Sequence, residues 1–387
     1  MKVKISTIMS ILVYHIIFIN LYYVHNYSLL VYIFSFALMF LLLINAKYFV
    51  NKRYLKINII LFLFLGVMLV STLYNNMNIH RGILQIIKIL EIFLFWEYIH
   101  QVSQEKSTVK TFFILTLVYS ILNDIIMFIR PDMFLANDSN YLLGNKFQVS
   151  YFHILLLAFY MYYVKDKKDK KNVVFKTIFA VLAICICLYT ECTTALIGAL
   201  LFLIIYVATK NNHKKIKPIF IMVLLIVSCS ILILFSNIVH LKPIEYIIVN
   251  LLHEDITLTG RTYIYDNIFS VIGNKWLLGY GYGNSYDIMF EQLHVPNTQN
   301  ALLEYWLDSG ILGVTLLLVL IYNIFKDYNK NINSIVIYLY VFSILGCIEV
   351  TIDIIYIALL AMLNIGKVNK INNEKYQKQN YGSSTSV

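Results

Sequence analysis

The sequence predicts an all-α fold: a polytopic membrane helix bundle of about 12 transmembrane helices, with one long outer loop containing short interfacial helices. Three observations lead there. Hydrophobic residues make up 60% of the 387-residue chain, charged residues only 13%, and the mean hydropathy is +0.72. No soluble domain of this length hides that much apolar surface. The apolar residues come in continuous runs, not alternating ones, which excludes a lipid-spanning β-barrel. Lysine and arginine, finally, concentrate in every second connection between those runs.

A span needs roughly 20 apolar residues. Windows of that kind begin near Ile5, Ser28, Ile57, Ile83, Thr111, Gln148, Val173, Thr193, Pro218, Asn300, Ser334 and Val350. The first, inside Met1 to Asn20, has a long apolar run and no small-residue cleavage site, so it reads as a retained span. With the N-terminus placed inside, the inner segments are Lys2 to Lys4, Lys47 to Lys56, Lys106 to Lys110, Lys165 to Lys176, Lys210 to Lys217, Lys326 to Lys330 and the tail. They hold about 24 of the 31 basic residues, against about six outside. Residues 1–387 are therefore expected to form a single multi-pass domain in the cytoplasmic membrane, with both termini cytoplasmic. Residues 239–299 form the outer loop in this reading. The tail 367–387, rich in Asn, Lys, Gln and Ser, is expected to be disordered.

The net charge of +10 follows from this topology. The run KDKKDKK at Lys165 reads as an inner loop touching anionic lipid, and no nucleic-acid partner is expected. The five cysteines, Cys185, Cys187, Cys192, Cys229 and Cys347, fall in predicted spans without metal-ligand spacing and read as small apolar residues.

Charges inside the spans are costly, roughly 2.5–3.5 kcal/mol for a lone one at mid-membrane. Lys88 and Glu91, three residues apart, therefore read as a neutralised pair. In a functional reading, Arg81 at the outer mouth of that span lines an anion path together with Lys88. Arg130 caps the fifth span on the same side, as an interface anchor or a second phosphate contact. Asp124, Glu191, Glu349 and Asp353 also gather in or near outer halves of spans, which suggests a wet, outward-facing cavity.

In the outer loop, Pro243 opens PIEYIIVNLL, where Ile244, Ile247, Ile248, Leu251 and Leu252 share one helical face. A second helix is expected over RTYIYDNIFSVI, with Ile264, Ile268, Val271 and Ile272 as its stripe and Thr259 as N-cap. Both are expected to lie in the membrane interface. Arg261 falls in the first turn, where guanidinium and backbone amides converge on one anion; the alternative is an arginine snorkelling to headgroups. Gly279, Gly281 and Gly283 permit tight turns or close approach to a ligand. They match no Walker or dinucleotide pattern, and the context is not that of a potassium filter. Asn297 to Asn300 form a polar cap on the next helix. Glu304 and Asp308 share a face of it, and Gly310 and Gly313 suggest close helix packing.

Taken together, Gly260-Arg261, the run Leu278 to Gly283, and Gln299-Asn300 with Leu303, Asp308, Gly310 and Gly313 resemble the signature of the O-antigen ligase/polymerase family. The resemblance covers about 60 residues, and the topology of the whole chain is similar too. It implies an enzyme that transfers or extends glycans carried on undecaprenyl diphosphate at the outer face of the membrane, with no cofactor and no metal. It implies as partners the lipid-linked oligosaccharide and the bilayer, with a chain-length regulator and a flippase as candidates. By resemblance Arg261 binds the lipid diphosphate, with Arg81, Arg130, Asn300, Gly281 and Gly283 as further candidate contacts.

Gln299 stands where the family often has a histidine that serves the ligases as base. A glutamine takes no proton, so that role does not carry over. Gln299 is kept as a catalytic candidate, and His294, Glu304 or Asp308 is the source of any base. A second departure lies at TECTTALIG, where Cys192 and Thr193 replace an arginine common in relatives. A polysaccharide polymerase is the preferred reading. A ligase is the alternative within the family, and a flippase or transporter the alternative outside it. Transporters show repeats and midplane sites, whereas polar residues here gather at the outer side. The Ile, Asn, Lys and Tyr content points to an AT-rich bacterial genome, and so to capsule or exopolysaccharide as well as O-antigen.

Overall fold

The computed structural model describes residues 4–19, 21, 26–49, 51–129, 141–165, 169–209, 217–234, 241–246, 249–250, 260–328 and 331–365. Helices stand at each apolar window: α1 (Ile5–Ile17), α2 (Tyr27–Ile44), α3 (Leu55–Asn75), α4 (Ile79–Gln101), α5 (Glu105–Ile129), α6 (Lys146–Tyr163), α7 (Lys170–Tyr189), α8 (Thr193–Thr209) and α9 (Pro218–Leu234). The outer loop contributes α10 (Lys242–Tyr246), α11 (Arg261–Ile272) and α12 (Ser285–Leu293), and the chain ends with α13 (Ala301–Asp327), α14 (Ser334–Leu345) and α15 (Ile354–Met362). Among the described residues there is no named strand, so the all-α expectation holds.

The span count is another matter. Among the described residues five helices, α2, α3, α5, α7 and α13, are long and apolar enough to cross a membrane. α14 and α15 have only 12 and 9 residues, about 18 and 14 Å of helix. The sequence places a span from Val350, yet helix begins only at Ile354, and residues 346–353 between the two are unwound. Irregular backbone at membrane depth is tolerated where it is buried in protein or lines a cavity. Both conditions hold here: Thr351 and Ile352 are buried, and Val350, Thr351 and Asp353 line a cavity.

One large core holds the bundle together. α13 packs along α3, α6 lies between α5 and α7, and α14 sits against α6, α8 and α9. The outward faces of α2, α5 and α7 expose Phe36, Phe40, Leu43, Ile121, Phe128, Val173 and Val181, as helices facing lipid would. Buried polar residues of the bundle mostly have partners. Glu91 accepts from the Ser35 hydroxyl, whose Oγ lies 2.8 and 2.9 Å from its two carboxylate oxygens. Lys88 and Glu91 make no direct ion pair among the described residues, although their charges interact.

A second, smaller core gathers α11, α12 and the start of α13 around Ile264, Ile268, Val271, Ile272, Met289, Leu303 and Leu307. The stripe expected to face lipid is thus buried against protein. The opposite side of this cap exposes Tyr263, Phe269, Trp276, Tyr286 and Phe290, residue types that favour a membrane–water interface. The N-cap of α11 is Gly260, at φ 80°. The expected cap Thr259 lies outside the described residues, as do Arg130, most of the stripe Ile247, Ile248, Leu251 and Leu252, and the tail 367–387.

Candidate functional site

Two stretches remote in sequence build one unit at the Arg261 end of the bundle. α13 is broken at Gly310, whose φ of 67° and ψ of −177° are not helical. In an unbroken helix the amides of Ile311 and Leu312 would reach the carbonyls of Leu307 and Asp308. Here all four groups turn to the glycine loop. Ile311 N donates to Trp276 O at 2.9 Å and Leu312 N to Leu277 O at 3.4 Å, while Leu307 O accepts from Tyr280 N at 2.7 Å and Asp308 O from Gly281 N at 2.9 Å.

Glycine makes this approach possible. A Cβ on Gly310 would lie 2.1 Å from Leu277 O, and one on Gly279 would lie 2.6 Å from Leu307 O. α3 grips the loop from the other side. Tyr282 N donates to Thr72 Oγ1 at 3.1 Å, Asn75 Nδ2 donates to Gly279 O at 3.0 Å, and Ser71 Oγ donates to Leu278 O. Gly281, at φ 101°, is enclosed by Asn284 and Thr72. Gly283 lies against Arg81, whose Nη1 donates to Gly283 O at 3.3 Å and stands 3.9 Å from Asp287.

The carboxylates of α13 tie this unit down. Asp308 Oδ1 accepts from Ser285 N at 3.3 Å, at the start of α12. Glu304 accepts from Ser285 Oγ, from Thr298 N at 3.1 Å and from Thr298 Oγ1 at 2.9 Å. Asn300 is fully buried and caps α13: its Oδ1 accepts from Leu302 N and Leu303 N at 3.1 and 3.2 Å, and its Nδ2 donates to Cys229 O at 2.8 Å. Both ends of that amide are committed to the fold.

Arg261 stands in the first turn of α11, as expected. Its Nε donates to Ile348 O at 2.7 Å and its Nη2 lies 3.7 Å from Glu349 Oε2; the two side chains are only 12% and 11% exposed. Tyr265, on the same helix, donates from its hydroxyl to Gln299 O and Cys347 O, both at 2.8 Å. This fixes Gln299, which is held at φ 51° with its own N–H on Asn297 Oδ1 at 2.9 Å. Its side-chain amide makes no hydrogen bond among the described residues.

Beside this group lies a cavity of about 370 Å³. Apolar side chains of α1, α2, α6 and α14 form most of its wall, and Gln85, Lys88, Gln148, Tyr151 and Asp353 supply the polar part. Lys88 faces it with no hydrogen bond or ion pair of its own among the described residues. Val350, next in the chain to the Arg261 partner Glu349, lines the cavity, so cavity and arginine are neighbours.

The predicted residues therefore separate. Arg261, Gln299 and Glu349 come together beside the cavity. Arg81 joins the exposed edge of the glycine loop. His294 is the exposed C-cap of α12, and its ring meets only the edge of Phe290, with centroids 6.2 Å apart. Of the expected acidic crowd, Asp353 lines the cavity and Glu349 holds Arg261, but Asp124 pairs with His153 at 3.2 Å and Glu191 is exposed. Sequence reading missed Tyr151 and Tyr265, which sit in apolar stretches like ordinary core aromatics. Among the described residues no three His, Cys, Asp or Glu side chains gather as a metal site.

Comparison with known proteins gives a match to a protein family. Residues 178–318 match the family model described as O-antigen ligase. The matched stretch contains Arg261, the glycine loop and the break at Gly310, and it bears out the resemblance to the O-antigen ligase/polymerase family. No curated protein and no solved structure matches the chain.

Proposed function

We propose, taking the O-antigen ligase match as premise, that the protein is a membrane glycosyltransferase that polymerises undecaprenyl-diphosphate-linked repeat units. The cavity beside Arg261 is the observation that carries this reading. Lys88, a braced Arg261 and the apolar side chains of the wall suit a ligand with an anionic head and a hydrophobic tail. In this reading the donor diphosphate sits between Arg261 and Lys88, with Arg81 at the outer edge. The acceptor hydroxyl oxygen attacks the anomeric carbon, the bond from that carbon to the diphosphate oxygen breaks, and the electron pair leaves on the diphosphate. The two cations stabilise the charge that grows there, and holding the sugars in line removes much of the entropic cost.

Gln299 fits this scheme as a hydrogen-bonding group that orients the acceptor sugar or a phosphate oxygen. The proton of the acceptor hydroxyl then passes to solvent as the bond forms. The match to the O-antigen ligase family favours a ligase as the second reading. Deletion of the gene followed by glycan profiling separates the two. Single repeat units left on lipid, with polymer lost, support the polymerase. Lipid-linked polymer that reaches no final acceptor supports the ligase. Units held at the cytoplasmic face would overturn both and indicate a flippase.

A further inference from the structure

A second cavity, about 440 Å³, opens at the other end of the bundle, between α4, α5, α6 and the start of α14. Lys88 lines the first cavity and His100 the second, about 18 Å apart along α4 at 1.5 Å per residue, so the two cavities lie toward opposite ends of that helix. This end carries Lys165, which the charge pattern assigns to the cytoplasmic side.

We infer that this cavity binds a phosphate group at the inner membrane surface, with Lys106 and Lys165 as its cations and the Tyr328 hydroxyl as a donor. Both lysines line it, and neither has a hydrogen bond or ion pair among the described residues. The acid in the wall is already engaged: Glu105 accepts from the Tyr162 hydroxyl and lies 3.5 Å from His100 Nδ1. His100 is itself fixed, because its Nε2 faces the Met362 carbonyl at 3.0 Å and must carry a proton to bond it. The cationic excess is therefore not cancelled from within. Tyr328 Oη accepts from Asn333 Nδ2 at 2.6 Å, and Asn333 Oδ1 is occupied by Val336 N at 3.0 Å. That arrangement leaves the phenol proton for another acceptor. Two ammonium groups and a hydroxyl around one space match the oxygens of a phosphate. Such a phosphate comes from an anionic phospholipid of the inner leaflet or from a soluble phosphate ester. This inference does not depend on the proposed polymerase reaction.

The test uses the purified full-length protein in neutral detergent, titrated with phosphatidylglycerol and, separately, with glycerol phosphate, and read by native mass spectrometry. Saturable binding of phosphatidylglycerol is expected. Replacing both lysines (Lys106→Gln with Lys165→Gln) should weaken it roughly thirtyfold, on the scale of a surface lysine's attraction to anionic lipid. The control pair Lys170→Gln with Lys171→Gln, exposed on the same side, should leave it unchanged. Competition by glycerol phosphate identifies a soluble ester as the ligand; its absence identifies the lipid. Equal weakening by both pairs, or binding that never saturates, overturns the site in favour of a diffuse basic surface. If the Gln pair does not fold, the Arg pair at the same two positions must retain binding and Tyr328→Phe must reduce it; failure of either result also overturns the site.

Discussion

Arg261 is braced before any ligand arrives. The Ile348 carbonyl and the Glu349 carboxylate fix its plane, so little side-chain freedom remains to be lost when an anion binds. If the proposed role holds, Arg261→Ala abolishes polymer while the protein remains in the membrane. Arg261→Lys should retain part of the activity, roughly a tenth, because one charge-assisted bond worth about 1.5 kcal/mol is lost. Polymer yield with membrane levels measured alongside checks both, and full polymer from the alanine variant would end the assignment. Gln299 and His294 separate two mechanisms. Gln299→Ala should shorten chains, and Gln299→Glu should do at least as much harm by placing a carboxylate near the diphosphate. His294→Ala should stay within roughly twofold of wild type, as exposed substitutions do. A severe loss there would make His294 the base despite its position. Sequence alone named Arg261, Gln299 and Glu349. It was silent on what surrounds them, because the Ile348 carbonyl and the Tyr265 hydroxyl carry no pattern.

Among the elements, the docking of the glycine loop into the break of α13 is the least expected. The sequence shows Gly279, Gly281, Gly283 and Gly310 plainly, and close packing is a natural reading of them. Periodicity carries no sign for φ, however, and α13 reads as one uninterrupted apolar helix. Its start was legible, since Asn300 caps it as a polar residue before an apolar run should. Gly310→Ala should deplete the folded protein, because the new methyl meets the Leu277 backbone and the conformation is one that L residues reach at a cost of about 1–3 kcal/mol. Gly66→Ala offers the contrast: nothing lies within 4 Å of its added methyl in the middle of α3, so stability should hold or rise slightly. Thermal unfolding of the two purified variants decides. If Gly310→Ala melts with wild type, the break is incidental.

For the molecule as a whole, the apolar runs located the bundle helices among the described residues but not α12 of the cap, while the positive-inside pattern supplied the expected orientation. The shortness of α14 and α15 was hidden, because unwound buried backbone has the same composition as buried helix. Orientation is testable without disturbing the core. Exposed Glu291, on the cap, and exposed Lys171, at the start of α7, can each be changed to Cys in a background with Cys185→Ser. An impermeant maleimide applied to intact cells should label Glu291→Cys only. Labelling of Lys171→Cys, with Glu291→Cys protected, would invert the topology.

The break in α13 also bears on how the protein is made. Opening the helix at Gly310 frees four backbone groups that residues 276–281 take up, and hydrocarbon would leave such groups several kcal/mol uncompensated. The loop precedes α13 in the chain, so the ribosome delivers the partner first. As α13 enters the bilayer, a complementary edge already waits at the Arg261 end. A gene rearranged to make α13 before the loop would leave that helix to insert unbroken, with nothing yet present to open it at Gly310.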